Sequence, residues 1–308
     1  MQSDHNGFWR EAFALHGSIS PRVILYVFSF GGIAFVICIL AWFVEWLFQI
    51  RIGLDVTPYE FAGVALGLLL MLRTNAGYDR WWESRILWGG ITNQSRNLVI
   101  GVLSYGPEDQ KWRENVIRWT AVFPHIARCS LRSEPPPPEV VSLIGQEEAD
   151  KIGASNHMPG FVALKISGLL QQGCQQFEMD RFAFLQIDKE RTRLIDHIGG
   201  CERILKTPLP LVYSIKIRRF IALFLLTLPL ALLHKTGSPW LIPLITMLVA
   251  YPLVSLDQIG IELQNPFSKA NLSHLPLNEI SATIEKNLME LLEMSKVSTE
   301  DAKTEPAE

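Results

Sequence analysis

Charged and aromatic side chains are concentrated in one short segment, residues 73–89. This segment contains three arginines, two acids and three tryptophans. Such side chains can attract or repel ions, and they can also anchor a helix at a membrane surface, where arginine stems and tryptophan rings bridge apolar and aqueous phases. On composition alone, anchoring is the simpler interpretation. The candidate functional residues of the segment are Arg73, Asn75, Tyr78, Asp79, Arg80, Trp81, Trp82 and Glu83.

An apolar stripe immediately precedes this segment. Val64, Leu68 and Leu72 recur every four residues, which places them on one face of a helix. Gly63 and Gly67 have the spacing that allows helix backbones to approach closely. Such a stripe can pack against a helix or lipid, but several copies around a water-filled axis form a gate that conducts only when wetted. The spacing alone favours packing against a helix or lipid.

Enzymatic and metal-binding chemistry has no comparable pattern. The phosphate-loop, zinc-protease and serine-hydrolase motifs are absent from the sequence. Lone histidines such as His125 and His197 are typical of satisfied core or surface positions, and the four cysteines lack the spacing of a zinc site or a disulfide framework. The net charge of −3 argues against a nucleic-acid partner. We therefore expect no enzyme activity, no metal and no other cofactor.

The elements that position the stripe are predicted to be membrane spans. The chain is 48% hydrophobic and only 19% charged, which favours a membrane class. Val23 to Val44 contains no charge over 22 residues, enough to cross a bilayer core of roughly 30 Å. Thr57-Pro58 is a helix start signal for the second span. The four predicted spans lie at about residues 23–49, 58–82, 215–233 and 239–256.

The remaining segments are more polar. Residues 104–208 are predicted to form a water-exposed helical region, interrupted by the rigid linker Pro135 to Pro138. Leu277 to Leu292 is predicted to be an amphipathic helix that packs on its own or on a neighbouring subunit, and residues 299–308 are predicted to be disordered. The distribution of Lys and Arg, with Arg51 and Lys235 on the opposite side, predicts that the polar region and both termini are cytoplasmic.

Three stretches resemble elements of one family. Residues 73–89 resemble the RTNxxYDRWWExRxLWG stretch that follows the pore-lining helix of bacterial bestrophins. Residues 199–210 resemble the GGCERIxxTPxP element of that family, and residues 262–267 resemble its NPF element. With the spans included, the resemblance covers roughly residues 8–295, so residues 1–298 are expected to form a single bestrophin-like channel domain.

The resemblance implies an all-α membrane protein with four transmembrane helices and a helical cytoplasmic region, assembled as a pentameric ring. Val64, Leu68 and Leu72 would form the hydrophobic neck of an axial pore, and Leu185 a second constriction at the cytoplasmic end. The expected function is a homopentameric channel for small anions such as chloride in the bacterial inner membrane. Its partners would be further copies of itself, membrane lipid and permeant inorganic ions.

Three other functions compete with this one. A monovalent cation-selective channel and a non-conducting membrane scaffold remain alternatives. A secondary transporter is disfavoured because the sequence has no internal repeat.

One departure from the family concerns calcium. Animal members carry acidic residues directly after the NPF element that help to bind Ca²⁺, a cation that prefers several carboxylate oxygens. The corresponding residues here, Ser268 to His274, contain no carboxylate and one lysine, Lys269. We therefore expect no Ca²⁺ site at this place.

Overall fold

The computed structural model describes residues 7–14, 17–50, 53–236 and 238–304. Arg51 and residues 305–308 of the predicted tail lie outside these ranges. The described residues form helices and no β-strand, which confirms the predicted all-helical class. The helices are α1 Phe8–Ala12, α2 Ser20–Phe48, α3 Thr57–Tyr105, α4 Gln110–Arg132, α5 Pro138–Ile144, α6 Gln146–Gly153, α7 Met158–Gln176, α8 Arg181–Lys206, α9 Leu211–Lys235, α10 Ile242–Glu262 and α11 Leu277–Thr304. A 3₁₀ turn, Pro239–Leu241, precedes α10.

Three segments are long and apolar enough to cross a membrane. They are α2, α3 and the segment Pro239–Glu262, which contains the 3₁₀ turn and α10. They correspond to the predicted spans at 23–49, 58–82 and 239–256. The fourth predicted span, 215–233, lies within the 25-residue helix α9, and its crossing of the membrane stays a prediction.

The first compact unit comprises residues 1–81 and 208–274. Helix α2 packs against α9 and α10. The core of this unit is an apolar cluster in which Leu66 and Leu70 of α3 meet Ile221 and Phe224 of α9 and Ala250 of α10. In this way α9 and α10 determine which side of α3 is buried.

The second compact unit comprises residues 82–207 and 275–308. Its central helix is α4, which begins where the Asp109 side chain accepts a hydrogen bond from the Trp112 backbone N–H at 2.7 Å. Helix α4 packs against α5, α7, α8 and α11. The predicted polar helical region at 104–208 is thus composed of α4 to α8 and the end of α3.

Helix α11 contains the predicted amphipathic segment and packs on α4 of the same chain. Ile284 and Leu288 are fully buried, and the Ser281 hydroxyl donates to the Pro124 carbonyl at 3.2 Å. Residues 299–304, where we predicted the beginning of a disordered tail, form the end of α11. Glu300, Ala302 and Lys303 have high helix propensity, so a polar composition alone does not end the helix.

Candidate functional site

Helix α3 has an exposed apolar side and a buried apolar side. The exposed fractions of Val64, Leu68 and Leu72 are 66%, 58% and 60%. Leu66 and Leu70 are fully buried in the cluster with α9 and α10. At about 100° of rotation per residue, the exposed residues span an arc of about 80° and the buried pair is centred on the opposite side. The structure therefore places the predicted neck residues together on the side of α3 that faces away from its own chain.

The two glycines of the GxxxG pair have different surroundings. A Cβ atom added to Gly63 would lie 3.6 Å from the Phe224 ring of α9, whereas one added to Gly67 would have no described atom within 4 Å. Gly63 thus contributes to packing within the chain. Gly67 remains open toward the exterior.

The first residue of the charged segment, Arg73, points into the protein. Its guanidinium is fully buried, forms an ion pair with Asp257 of α10 and donates to the Ser214 hydroxyl at 3.3 Å. Arg218 donates to the other oxygen of Asp257 at 3.0 Å. Two arginines therefore share one carboxylate, and the role of Arg73 is to connect α3 to α9 and α10.

The next residues attach the part of α3 where the predicted span ends, residues 73–81, to the loop that follows α10. We call this part the foot of α3. Arg80 donates from Nε and Nη2 to the Gln264 carbonyl, both at 3.4 Å. The indole N–H of Trp81 donates to the Ser273 carbonyl at 2.7 Å, and Tyr78 stacks on Trp81 with ring centroids 6.2 Å apart. The Arg80 guanidinium and the Trp81 indole are thus both hydrogen-bonded to backbone carbonyls of the first unit.

Asn75 and Asp79 behave differently from these neighbours. Both are exposed, and they lie on the same side of α3 as Leu68. Trp82 and Glu83 belong to the second unit. There Trp82 is exposed, and Glu83 forms an ion pair with Arg203 of α8. Of the eight residues singled out from the sequence, Arg73, Arg80 and Trp81 hold the fold of the first unit. Asn75 and Asp79 instead extend the exposed stripe.

Leu185, the predicted second constriction, lies on an exposed part of α8. Its exposed fraction is 62%, although apolar residues of amphipathic helices are usually buried. Asp180 caps the start of helix α8, because its carboxylate accepts from the Phe182 backbone N–H at 2.8 Å. Ile187 and Leu194 form the buried side of the helix. Leu185 is therefore excluded from the core of its own unit.

The loop after α10 is organised around Glu262. This carboxylate is buried, forms an ion pair with Arg22 of α2 and accepts from the Leu272 backbone N–H at 2.7 Å. Asn271 donates to the Glu262 carbonyl at 3.2 Å. The carboxylate beside the NPF element is thus already neutralised by an arginine. Among the described residues, no three His, Cys, Asp or Glu side chains are grouped so that they could hold a metal ion.

Several titratable groups of the second unit fit a packing role. Burial raises the pKa of Cys201 to about 12, so this cysteine stays a thiol at neutral pH. Burial also lowers the pKa of His125, while its contact with Glu285 at 2.8 Å opposes that shift. Burial lowers the pKa of His197 as well. Both histidines accord with the core or surface positions that we expected for them.

Sequence reasoning missed Asp257, Glu262 and Arg22, which hold the foot of α3 and the loop after α10. Asp257 did provide a signal, because it is the first charge after the apolar run that forms α10. Its partner could not be inferred, since Arg73 lies 184 positions earlier in the chain.

This architecture, with apolar helices long enough to span a bilayer and an exposed apolar stripe on one of them, defines an α-helical membrane protein. The sequence profile of the bacterial and fungal bestrophins matches residues 1–290. The chain belongs to that family.

Relatives and a solved structure agree with this assignment. A voltage-dependent anion channel-forming protein of Ralstonia nicotianae is 31% identical, with coverage of 94% of this chain and 93% of the relative. The voltage-dependent anion channel-forming protein YneE of Escherichia coli K12 is 30% identical over 94% of this chain and 92% of its own. The crystal structure of a bacterial bestrophin homolog from Klebsiella pneumoniae superposes with a TM-score of 0.79 at 26% identity, covering 88% of this chain and 98% of that one. The family resemblance found in the sequence is thereby confirmed.

Proposed function

We propose that the chain is the subunit of a homopentameric channel that passes small anions such as chloride through an axial pore. The observation that carries this proposal is the exposed stripe Val64, Leu68 and Leu72, which lies opposite the side of α3 that packs on α9 and α10. The two relatives named above, both anion channel-forming proteins, support the choice of ion.

In this proposal, copies of α3 surround the axis and present their apolar stripes to it. A narrow ring of Val and Leu side chains holds water poorly, so the neck conducts when wetted and closes when water leaves it. Leu185 forms a second constriction from the cytoplasmic region. Its exposure in the single chain supports this role, because a pore residue must remain outside the core of its subunit.

In the proposed membrane arrangement, α9 is a fourth span in addition to α2, α3 and α10. Its charged residues Lys216, Arg218 and Arg219 lie near its first turns, which is where the positive-inside rule places a cytoplasmic end. Both termini and the helices α4 to α8 are then cytoplasmic, and the protein resides in the bacterial inner membrane surrounded by lipid.

Channel opening does not depend on Ca²⁺ binding next to the NPF element. Glu262, the carboxylate at this place, is paired with Arg22, and residues 268–274 contain no acid.

Reconstitution tests the function directly. The purified protein is inserted into planar lipid bilayers with a NaCl gradient, and protein-free bilayers serve as the control. We expect a current that reverses between zero and the chloride equilibrium potential, from protein whose native mass in mild detergent equals five chains. A reversal near the sodium potential would favour the cation-selective alternative, and silence with several salts would favour the scaffold.

A further inference from the structure

We infer that Asp79 is a specificity-determining residue of the pore, which favours cations and opposes anions at the cytoplasmic end of the neck. This inference rests on the proposed function, because Asp79 lines a pore only if the stripe of α3 does. It concerns a residue that would otherwise be assigned to interface anchoring together with its aromatic neighbours.

The position of Asp79 on the helix is the first argument. At about 100° per residue, Asp79 lies between Leu68 and Leu72 when α3 is viewed along its axis, and Asn75 lies between Val64 and Leu68. At 1.5 Å per residue, Asp79 stands about 10 Å beyond Leu72. A pore bounded by the apolar stripe is therefore continued by an amide and then by a carboxylate.

The neighbouring charges are the second argument. Arg73 points to the buried side of α3, where Asp257 is its partner. Arg80 is directed at the Gln264 carbonyl. Asp79 is exposed, and its carboxylate has no hydrogen bond or ion pair with any described part of the chain. The arginines adjacent to the stripe thus do not neutralise this negative charge within the subunit.

Symmetry multiplies the effect of one carboxylate. In a pentamer, five copies of Asp79 form a ring of negative charge next to an apolar constriction, where ions have shed part of their water. Rings of acidic side chains select cations in pores. The ring therefore lowers the preference of this channel for chloride below that of a neck lined by apolar groups alone.

The test compares permeability ratios in planar bilayers with a NaCl gradient. Asp79→Asn removes the charge and keeps the shape, and Asp79→Glu keeps the charge. Glu147→Gln is the matched control, because it removes an exposed carboxylate from α6, which packs on α5 and α7. We expect Asp79→Asn to raise the chloride-to-sodium permeability ratio by at least about fivefold, since a single Coulomb contact in bulk water already corresponds to that factor. Asp79→Glu and Glu147→Gln should leave the ratio within about twofold of wild type.

A cysteine variant keeps the test decisive if Asp79→Asn fails to assemble. In Asp79→Cys, a positively charged thiol reagent should raise the chloride-to-sodium ratio and a negatively charged one should lower it, with the reagent-treated wild type as control for the four native cysteines. A conducting wild type with an unchanged ratio in Asp79→Asn, or an assembled Asp79→Cys channel insensitive to both reagents, would overturn the inference alone. A silent wild type would overturn the proposed channel function, and the inference with it.

Discussion

Asp257 accepts hydrogen bonds from two guanidinium groups that differ in exposure. The side chain of Arg73 is 1% exposed and that of Arg218 is 55% exposed. Removing one partner of a buried ion pair leaves a charge without compensation in a medium of low dielectric constant, whereas an exposed partner is replaced by water. Substitutions of the two arginines can therefore be compared to measure how much the burial of Arg73 strengthens its pairing with Asp257.

We expect Arg73→Gln to lower the free energy of unfolding by about 3 kcal/mol or more. Arg218→Gln should lower it by about 1 kcal/mol or less, because solvent screens the exposed guanidinium. The measurement is thermal unfolding of both variants in the same detergent. Equal losses in the two variants would show that burial of Arg73 does not determine the strength of its pairing.

The sequence identified Arg73 as important but not for the right reason. Its place in a segment of charges and aromatics indicated membrane anchoring or a role near the pore. Instead the side chain is buried and paired with a residue 184 positions away. Asp79 is the opposite case. Its side chain is exposed on the side of the stripe, whereas the side chain of the next residue, Arg80, is bonded to the Gln264 carbonyl. Side-chain direction at such positions depends on tertiary packing, which local composition does not specify.

At the scale of elements, helix α7 approaches α4 at a glycine. A Cβ atom added to Gly173 would lie 2.9 Å from the Trp112 ring. That ring cannot move away freely, because its N–H donates to the Leu169 carbonyl at 2.7 Å and the residue is buried. Gly168 lies on the same helix, and a Cβ atom added there would have no described atom within 4 Å.

We expect Gly173→Ala to destabilise the second unit by about 1–3 kcal/mol, the cost of overpacking a filled core. Gly168→Ala should instead stabilise it by up to about 1 kcal/mol, because alanine has the higher helix propensity. Thermal unfolding followed by circular dichroism measures both. If Gly173→Ala were as stable as Gly168→Ala, the close packing of α7 on α4 would be contradicted.

Elements with a strong apolar pattern were the most predictable. The long uncharged runs of α2 and α10 could be identified by length. The run of α3 between Glu60 and Arg73 is too short to span alone, and it was identified by its helix start signal and the charged, aromatic segment that follows it. Two boundaries were less predictable. Helix α3 continues past the predicted span to Tyr105, where the burial of Leu98, Val99 and Val102 holds its second half. Helix α11 extends to Thr304, because polar residues of good helix propensity prolong a helix without contributing to its apolar pattern.

At the scale of the whole molecule, the proposed channel depends on an assembly of several copies. Within one chain, α3 buries Leu66 and Leu70 and leaves Val64, Leu68 and Leu72 uncovered. A regular apolar stripe of this kind suits an axis shared by identical subunits, because closed rotational symmetry brings the same residues of every copy together. Periodicity predicted the stripe, and the family resemblance alone predicted the number of subunits.

The most direct test of this account is the conductance of Leu68→Ala in planar bilayers. Removing the isopropyl group of Leu68 from every subunit would widen the proposed neck and ease its wetting, so we expect the single-channel conductance to rise several-fold with native mass unchanged. Leu248→Ala is the control, since Leu248 of α10 is 74% exposed and lies outside the stripe; its conductance should equal that of wild type. An assembled Leu68→Ala channel with wild-type conductance and gating would contradict the placement of this stripe at the pore.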